Sequence, residues 1–250
     1  MKTNNLDDFD DIFRSMEENE NIPQETLVKE DFNNLTADEI FAKCRDKHLG
    51  EDIFQLAVDK GLLEGLWSDE ILLLASEGGS LKYVKQAVEH GADIELVGYN
   101  YSPLISASKY GHFKVVKYLV EYGADLYAAG KSGWNPPLHC ACVFGWIDIV
   151  QFFIEYGVNI DFFNSMKHTP LIESIHSRQF KIAEYLIKQG ANVNKIPGRN
   201  DLSGPLWFAY RYGSFETVRL LVEYGAVVDP DIEKQGNCEI VKYLKSVKMF

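Results

Sequence analysis

Residues Ser102 to Asp125 read Ser-Pro-Leu-Ile-Ser-Ala-Ser-Lys-Tyr-Gly-His-Phe-Lys-Val-Val-Lys-Tyr-Leu-Val-Glu-Tyr-Gly-Ala-Asp. Pro103 suits the first turn of a helix, where φ is preset and the missing N–H would have no intrahelical partner anyway. Gly111 and Gly123 stand where a helix ends in a left-handed residue, a conformation that glycine adopts at little cost. Between them Val115, Val116, Leu119 and Val120 recur at helical spacing and form one apolar stripe. Two helices of this length cannot bury such a stripe by themselves. The segment therefore predicts neighbours built like itself.

The rest of the chain holds them. The second glycine recurs at Gly91, Gly123, Gly157, Gly190 and Gly225, in steps of 32, 34, 33 and 35 residues. The opening position recurs at Ser102, Pro136, Thr169 and Gly204, each followed by Pro-Leu. The second-helix stripes align as Val84/Ala87/Val88, Val116/Leu119/Val120, Val150/Phe153/Ile154, Ala183/Leu186/Ile187 and Val218/Leu221/Val222. A period near 33 with Thr-Pro-Leu-His and Gly-Ala-Asp elements resembles the ankyrin repeat family over about residues 70–229. The resemblance implies an all-α solenoid of helix-turn-helix pairs with projecting turns that binds other proteins. It also implies a structural hydrogen bond for His139, beside a helix start. The family is defined by its fold, so the resemblance names no partner.

This reading divides the chain into four parts. Residues 1–35 form an acidic extension, in which Leu6, Phe9, Ile12, Phe13 and Met16 share one face of an expected helix. Thr36 with Glu39 makes a capping box that opens an N-terminal helical cap or degenerate repeat, residues 36–69. Repeats one to five occupy 70–229, and 230–250 read as a C-terminal capping half-repeat whose outer face carries Lys242, Lys245 and Lys248. Terminal units of a solenoid must present a polar outside. Repeat four has Arg178 where its sisters have Gly111, Gly145 and Gly213, so a left-handed residue there would carry about 1 kcal/mol of strain.

The charge is distributed unevenly. Of a net −12, residues 1–69 hold 18 Asp/Glu against 7 Lys/Arg, whereas residues 70–250 hold 19 against 18. No basic face is visible, which argues against nucleic acid. The acidic quarter would either steer a basic partner or serve as a solvated tail. No run of 18 apolar residues occurs, the N-terminus lacks a signal-type apolar segment, and the four cysteines show no disulfide framework. A cytoplasmic protein, monomeric when free, is expected.

His139, Cys140 and Cys142 lie close in sequence, but no second ligand pair stands at a zinc-type spacing, so no metal or cofactor is expected. No nucleophile with a base, phosphate loop or dinucleotide motif is present, and the chain does not read as an enzyme.

In proteins of this fold, contacts come from the turn tips and the inner face of the first helix. The inner-face positions lie seven and eight residues after each opening position: Lys109-Tyr110, Val143-Phe144, His176-Ser177 and Arg211-Tyr212. The turns add Tyr99, Tyr101, Trp134, Met166 and His168. A row of aromatic and Arg side chains has the composition of a binding hot spot, the alternative being that Phe144 and Trp134 fold down into the core. Two functions fit: a stoichiometric inhibitor of the immunity type that blocks an enzyme, or an adaptor or secreted effector that tethers a protein without inhibiting it. The acidic quarter and the modest size favour the first.

Overall fold

The computed structural model describes residues 55, 58–61, 68–97, 101–130, 135–196, 204–212, 214–228 and 239–247. The chain divides into two units, Met1–Thr36 and Ala37–Phe250, and every described residue belongs to the second. The expected helix at Leu6–Met16, the capping box at Thr36, and Tyr99, Trp134 and Lys248 lie outside the described residues.

Eleven helices are described. The first helices of five successive pairs are α1 (Ser68–Gly78), α3 (Pro103–Tyr110), α5 (Pro137–Phe144), α7 (Pro170–His176) and α9 (Pro205–Tyr212). Their second helices are α2 (Leu81–Glu89), α4 (Phe113–Tyr122), α6 (Ile147–Glu155), α8 (Phe180–Lys188) and α10 (Phe215–Glu223), and α11 (Glu239–Val247) follows. The starts are written in the sequence. Ser102 and Thr169 accept hydrogen bonds from the N–H groups of Ile105 and Ile172, and proline follows each cap directly.

The first helices pack on one another from α1 through α9, and the second helices form a parallel row with sparser contacts. Small buried residues permit the close approach of the first row: Ala75, Ser106, Ala107, Cys140, Ala141, Ser174 and Ala209. The denser packing of the first helices distinguishes their row, the inner face of the sequence reading, from the row of second helices. Between the rows, the stripes read from the sequence are buried except for Ile154 and Val222, which are half-buried, and Val116, Leu119, Val150, Phe153, Ala183, Leu186, Val218 and Leu221 are essentially inaccessible. Burying a side chain of this size contributes about 1.5–3 kcal/mol. Each stripe is covered partly by the next pair, so stability resides in the interfaces between repeats.

Backbone groups of the projecting turns are satisfied by a ladder of side chains. Asp93, Asp125, Asn159 and Asn192 each accept at Oδ1 from the N–H two residues on, the local turn that explains Asp or Asn after Gly-Ala or Gly-Val. The side chain two residues on then reaches the following repeat. Glu95 accepts from Asp125 N–H at 2.8 Å, Tyr127 from Asn159 N–H at 3.0 Å, Asp161 from Asn192 N–H at 2.9 Å and Asn194 from Val227 N–H at 2.8 Å.

A second ladder runs along the helix ends. The residue after the left-handed position covers the helix terminus of the preceding repeat. His112 Nε2 lies 2.7 Å from the Glu77 carbonyl oxygen, and Trp146 Nε1 donates to the Lys109 carbonyl at 2.7 Å. These carbonyls are orphaned by the end of the helix and need an outside donor. At Gly111, φ is +80° and the Trp146 indole lies so close that an added Cβ would stand 2.7 Å from its ring carbons. Arg178 keeps the left-handed conformation, with φ +57°. The covering position in repeat five is Ser214, whose hydroxyl instead caps α10 through Thr217 N–H. A short residue at 214 is what makes room for a Cβ at 178.

In α11, Val241 and Leu244 are buried while Lys242 and Lys245 are exposed, and the Tyr243 ring meets Phe215 of α10 edge-on at 5.2 Å.

Candidate protein-binding surface

Inner-face side chains gather into two groups. In the first, Lys109 is the hub. Its ammonium lies 4.4 Å from the Tyr101 ring centroid, 5.0 Å from that of Tyr110 and 5.7 Å from that of Phe144, and it donates to Tyr101 Oη at 2.9 Å. All four residues are half-buried. The second group joins repeats four and five. Arg211 lies 5.6 Å from the Trp207 ring and 5.5 Å from Tyr212. Tyr212 meets His176 at 5.0 Å, and Phe208 meets both His168 and His176, at 5.0 and 5.6 Å. Cations held over aromatic faces are attracted by the ring quadrupole and lose little further freedom when a ligand arrives.

Val143 departs from the expected row. It is buried, and its carbonyl is approached by Gln179 Nε2 at 3.5 Å. The register position is shared with Lys109, His176 and Arg211, whose long side chains carry a polar end outward from the helix edge. Valine is too short to do so. Phe144 does not join the core and stands half-buried beside Lys109. Met166 is exposed at the tip of the repeat-four turn, with about half its surface accessible.

His168 turns inward and meets a carboxylate. Its Nδ1 lies 3.2 Å from Glu173 Oε1, which also accepts from Asn164 Nδ2 at 2.6 Å. Asn164 ties the turn together: its Oδ1 accepts from His168 N–H at 2.8 Å, and its N–H donates to the His168 carbonyl at 2.9 Å. Burial opposes the charge of Glu173, but the His168 hydrogen bond and the neighbouring imidazoles outweigh it and hold the carboxyl below its ordinary value. His139 Nε2 lies 3.1 Å from the His168 carbonyl oxygen, the structural bond that the family resemblance implied. Burial pushes the His139 imidazole down to about 4 despite Glu173 nearby, so it is neutral. Burial likewise raises the Cys140 thiol to about 12 and Cys142 well above its ordinary value, which makes both poor nucleophiles and poor metal ligands.

Glu173, Asn164, Trp207 and Phe208 were not picked out by the sequence reading. For Glu173 a signal existed. Its register is held by Ser106, Cys140 and Phe208 in the sister repeats, so a carboxylate there is a charge at a buried position.

The family model for ankyrin repeats (3 copies) matches residues 40–130 and 127–197. The chain belongs to the ankyrin repeat family, whose repeats serve as a non-catalytic scaffold for protein–protein interaction. The match begins at residue 40, within the segment read as a cap or degenerate repeat, and ends before repeat five, whose helix pair is nevertheless present in the structure. A Rickettsia felis protein described only by its ankyrin repeats is 37% identical over 82 residues, which cover 33% of this chain and 35% of that protein. This chain thus aligns with about a third of that relative. Among the described residues, no helix is long and apolar enough to cross a membrane.

Proposed function

We propose that the chain is a stoichiometric inhibitor that grips a partner protein along the inner face of its first helices. What carries the reading is the pair of pre-ordered cation–aromatic groups, Lys109 with Tyr101, Tyr110 and Phe144, and Arg211 with Trp207 and Tyr212. The aromatic members are half-buried and Arg211 is exposed beside them, and aromatic and arginine side chains are the ones that lose most on truncation in known interfaces. His176 and the exposed Met166 extend the surface to the repeat-four turn. The acidity of residues 1–69 supports a partner with a basic surface, whose approach it would accelerate.

Capture of partners on the full-length chain, followed by activity measurement on the captured protein, tests this. The proposal expects a one-to-one complex in which the partner's activity is abolished. A stable complex that leaves the partner fully active would make the chain an adaptor and overturn the inhibitory reading.

A further inference from the structure

We propose that His168, Glu173 and His176 form a binding site for one zinc-class divalent ion on the inner face of repeat four. The sequence pointed away from metal because no second ligand pair stands at a zinc-type spacing from His139, Cys140 and Cys142. The fold assembles a different set. Glu173 and His176 stand three residues apart on α7 and so share one helix face, while His168 enters from the turn that precedes the helix.

The geometry is close to what an ion needs. The ligand atoms of the three residues all lie within 4.8 Å of one another. His168 Nδ1 and Glu173 Oε1 are 3.2 Å apart, and donors at about 2.0–2.1 Å from a tetrahedral zinc lie roughly 3.3 Å from each other. Two donors therefore already have the required separation. The third closes by at most about 1.5 Å to reach it, a shift within the reach of side-chain rotation at the half-buried His176.

Outer-shell order is also in place. Asn164 donates to the Glu173 carboxylate and accepts from His168 N–H, so one amide fixes two of the three ligands. His139 anchors the His168 carbonyl from behind. The Phe208 and Tyr212 rings wall the imidazoles on the repeat-five side, which lowers the local dielectric and strengthens binding of a cation by a carboxylate.

The repeat fold does not require this cluster. Its sisters place Ser106, Cys140 and Phe208 at the Glu173 register and form the same helix. Two imidazole nitrogens and one carboxylate suit zinc rather than magnesium or calcium, which prefer all-oxygen shells. Three protein ligands leave one coordination position, which water fills. Ion binding involves this chain alone and does not rest on the inhibitory reading.

The test uses the full-length, tag-free chain, stripped of metal with a chelator and titrated with Zn²⁺, then with Co²⁺ as a spectroscopic substitute. One equivalent of Zn²⁺ is expected to bind and raise the melting temperature. Co²⁺ is expected to give visible bands of a low-coordinate site without sulfur charge-transfer absorption. His176→Gln and, separately, His168→Gln should weaken Zn²⁺ at least tenfold, and His90→Gln, on the exposed end of α2, should not. No saturable binding, a cobalt spectrum showing thiolate donors, or undiminished affinity in a folded His176→Gln or His168→Gln variant would overturn the proposal. The wild-type cobalt spectrum decides the matter even where a variant is unstable.

Discussion

Replacing Gly111 and Gly123 separately by alanine separates local backbone strain from packing between repeats. Both glycines are left-handed, with φ +80° and +105°. Around Gly123 an added Cβ meets nothing within 4 Å. Gly123→Ala should therefore cost only the left-handed strain, about 1 kcal/mol. At Gly111 the new Cβ would stand 2.7 Å from the Trp146 ring carbons, so the indole must move. Its movement breaks the 2.7 Å bond to the Lys109 carbonyl, a loss of about 1–3 kcal/mol for a group left unsatisfied. Repacking around the displaced ring adds about 1–3 kcal/mol. The sum for Gly111→Ala is about 3–7 kcal/mol, so the two variants should differ by at least about 2 kcal/mol in urea unfolding followed by far-UV circular dichroism. In a Trp146→Ser background, which imitates the Arg178–Ser214 arrangement, Gly111→Ala should fall back to about 1 kcal/mol. Equal costs for the two alanine variants, or no relief from Trp146→Ser, would refute the account of how consecutive repeats are locked.

Two further outcomes follow from particular residues. Arg178→Gly should stabilise the chain by up to about 1 kcal/mol, since φ is +57° at an exposed site; a lower melting temperature would mean that Arg178 makes a compensating contact. Acid should weaken the fold through His139, whose folded pKa of about 4 lies below the ordinary 6.5. Between those values the unfolded chain takes up a proton that the folded chain refuses, so stability is complete above about pH 6.5 and lost toward pH 4. The loss at pH 5 relative to pH 8 is about 2 kcal/mol. Below that range Glu173 acts in the same direction, because its carboxyl is held down in the folded state and stability is lost as it protonates. Urea midpoints across pH 4–8 should fall more steeply for the native chain than for His139→Gln, and identical slopes would contradict the assignment.

The fold was legible because each repeat states its own punctuation. Pro103, Pro137, Pro170 and Pro205 begin their helices, left-handed Gly111 and Gly145 end two of them, and left-handed Arg178 follows the end of a third. These are local properties, and repetition of the stripe told where each helix must be covered. The surface was less legible. Whether a residue seven positions into a repeat emerges depends on the length of its side chain against helix rotation, so Lys109 and Arg211 project while Val143 stays buried. The His168–Glu173 pair depends on how Asn164 folds the preceding turn, a contact across sequence that periodicity does not carry. Charge at the buried register was the one clue, and it is visible only after the sister repeats are aligned.

Titration of the captured partner against inner-face variants tests the central claim most directly. Tyr110→Ala, Phe144→Ala and Tyr212→Ala, each first shown by thermal melting to be folded, should each weaken binding at least tenfold, corresponding to about 1.4 kcal/mol or more for anchors of this kind. Lys85→Ala and Lys188→Ala, at exposed positions on second helices, should bind as the native chain does. Native affinity in all three aromatic variants, with unchanged melts, would contradict binding through the inner face.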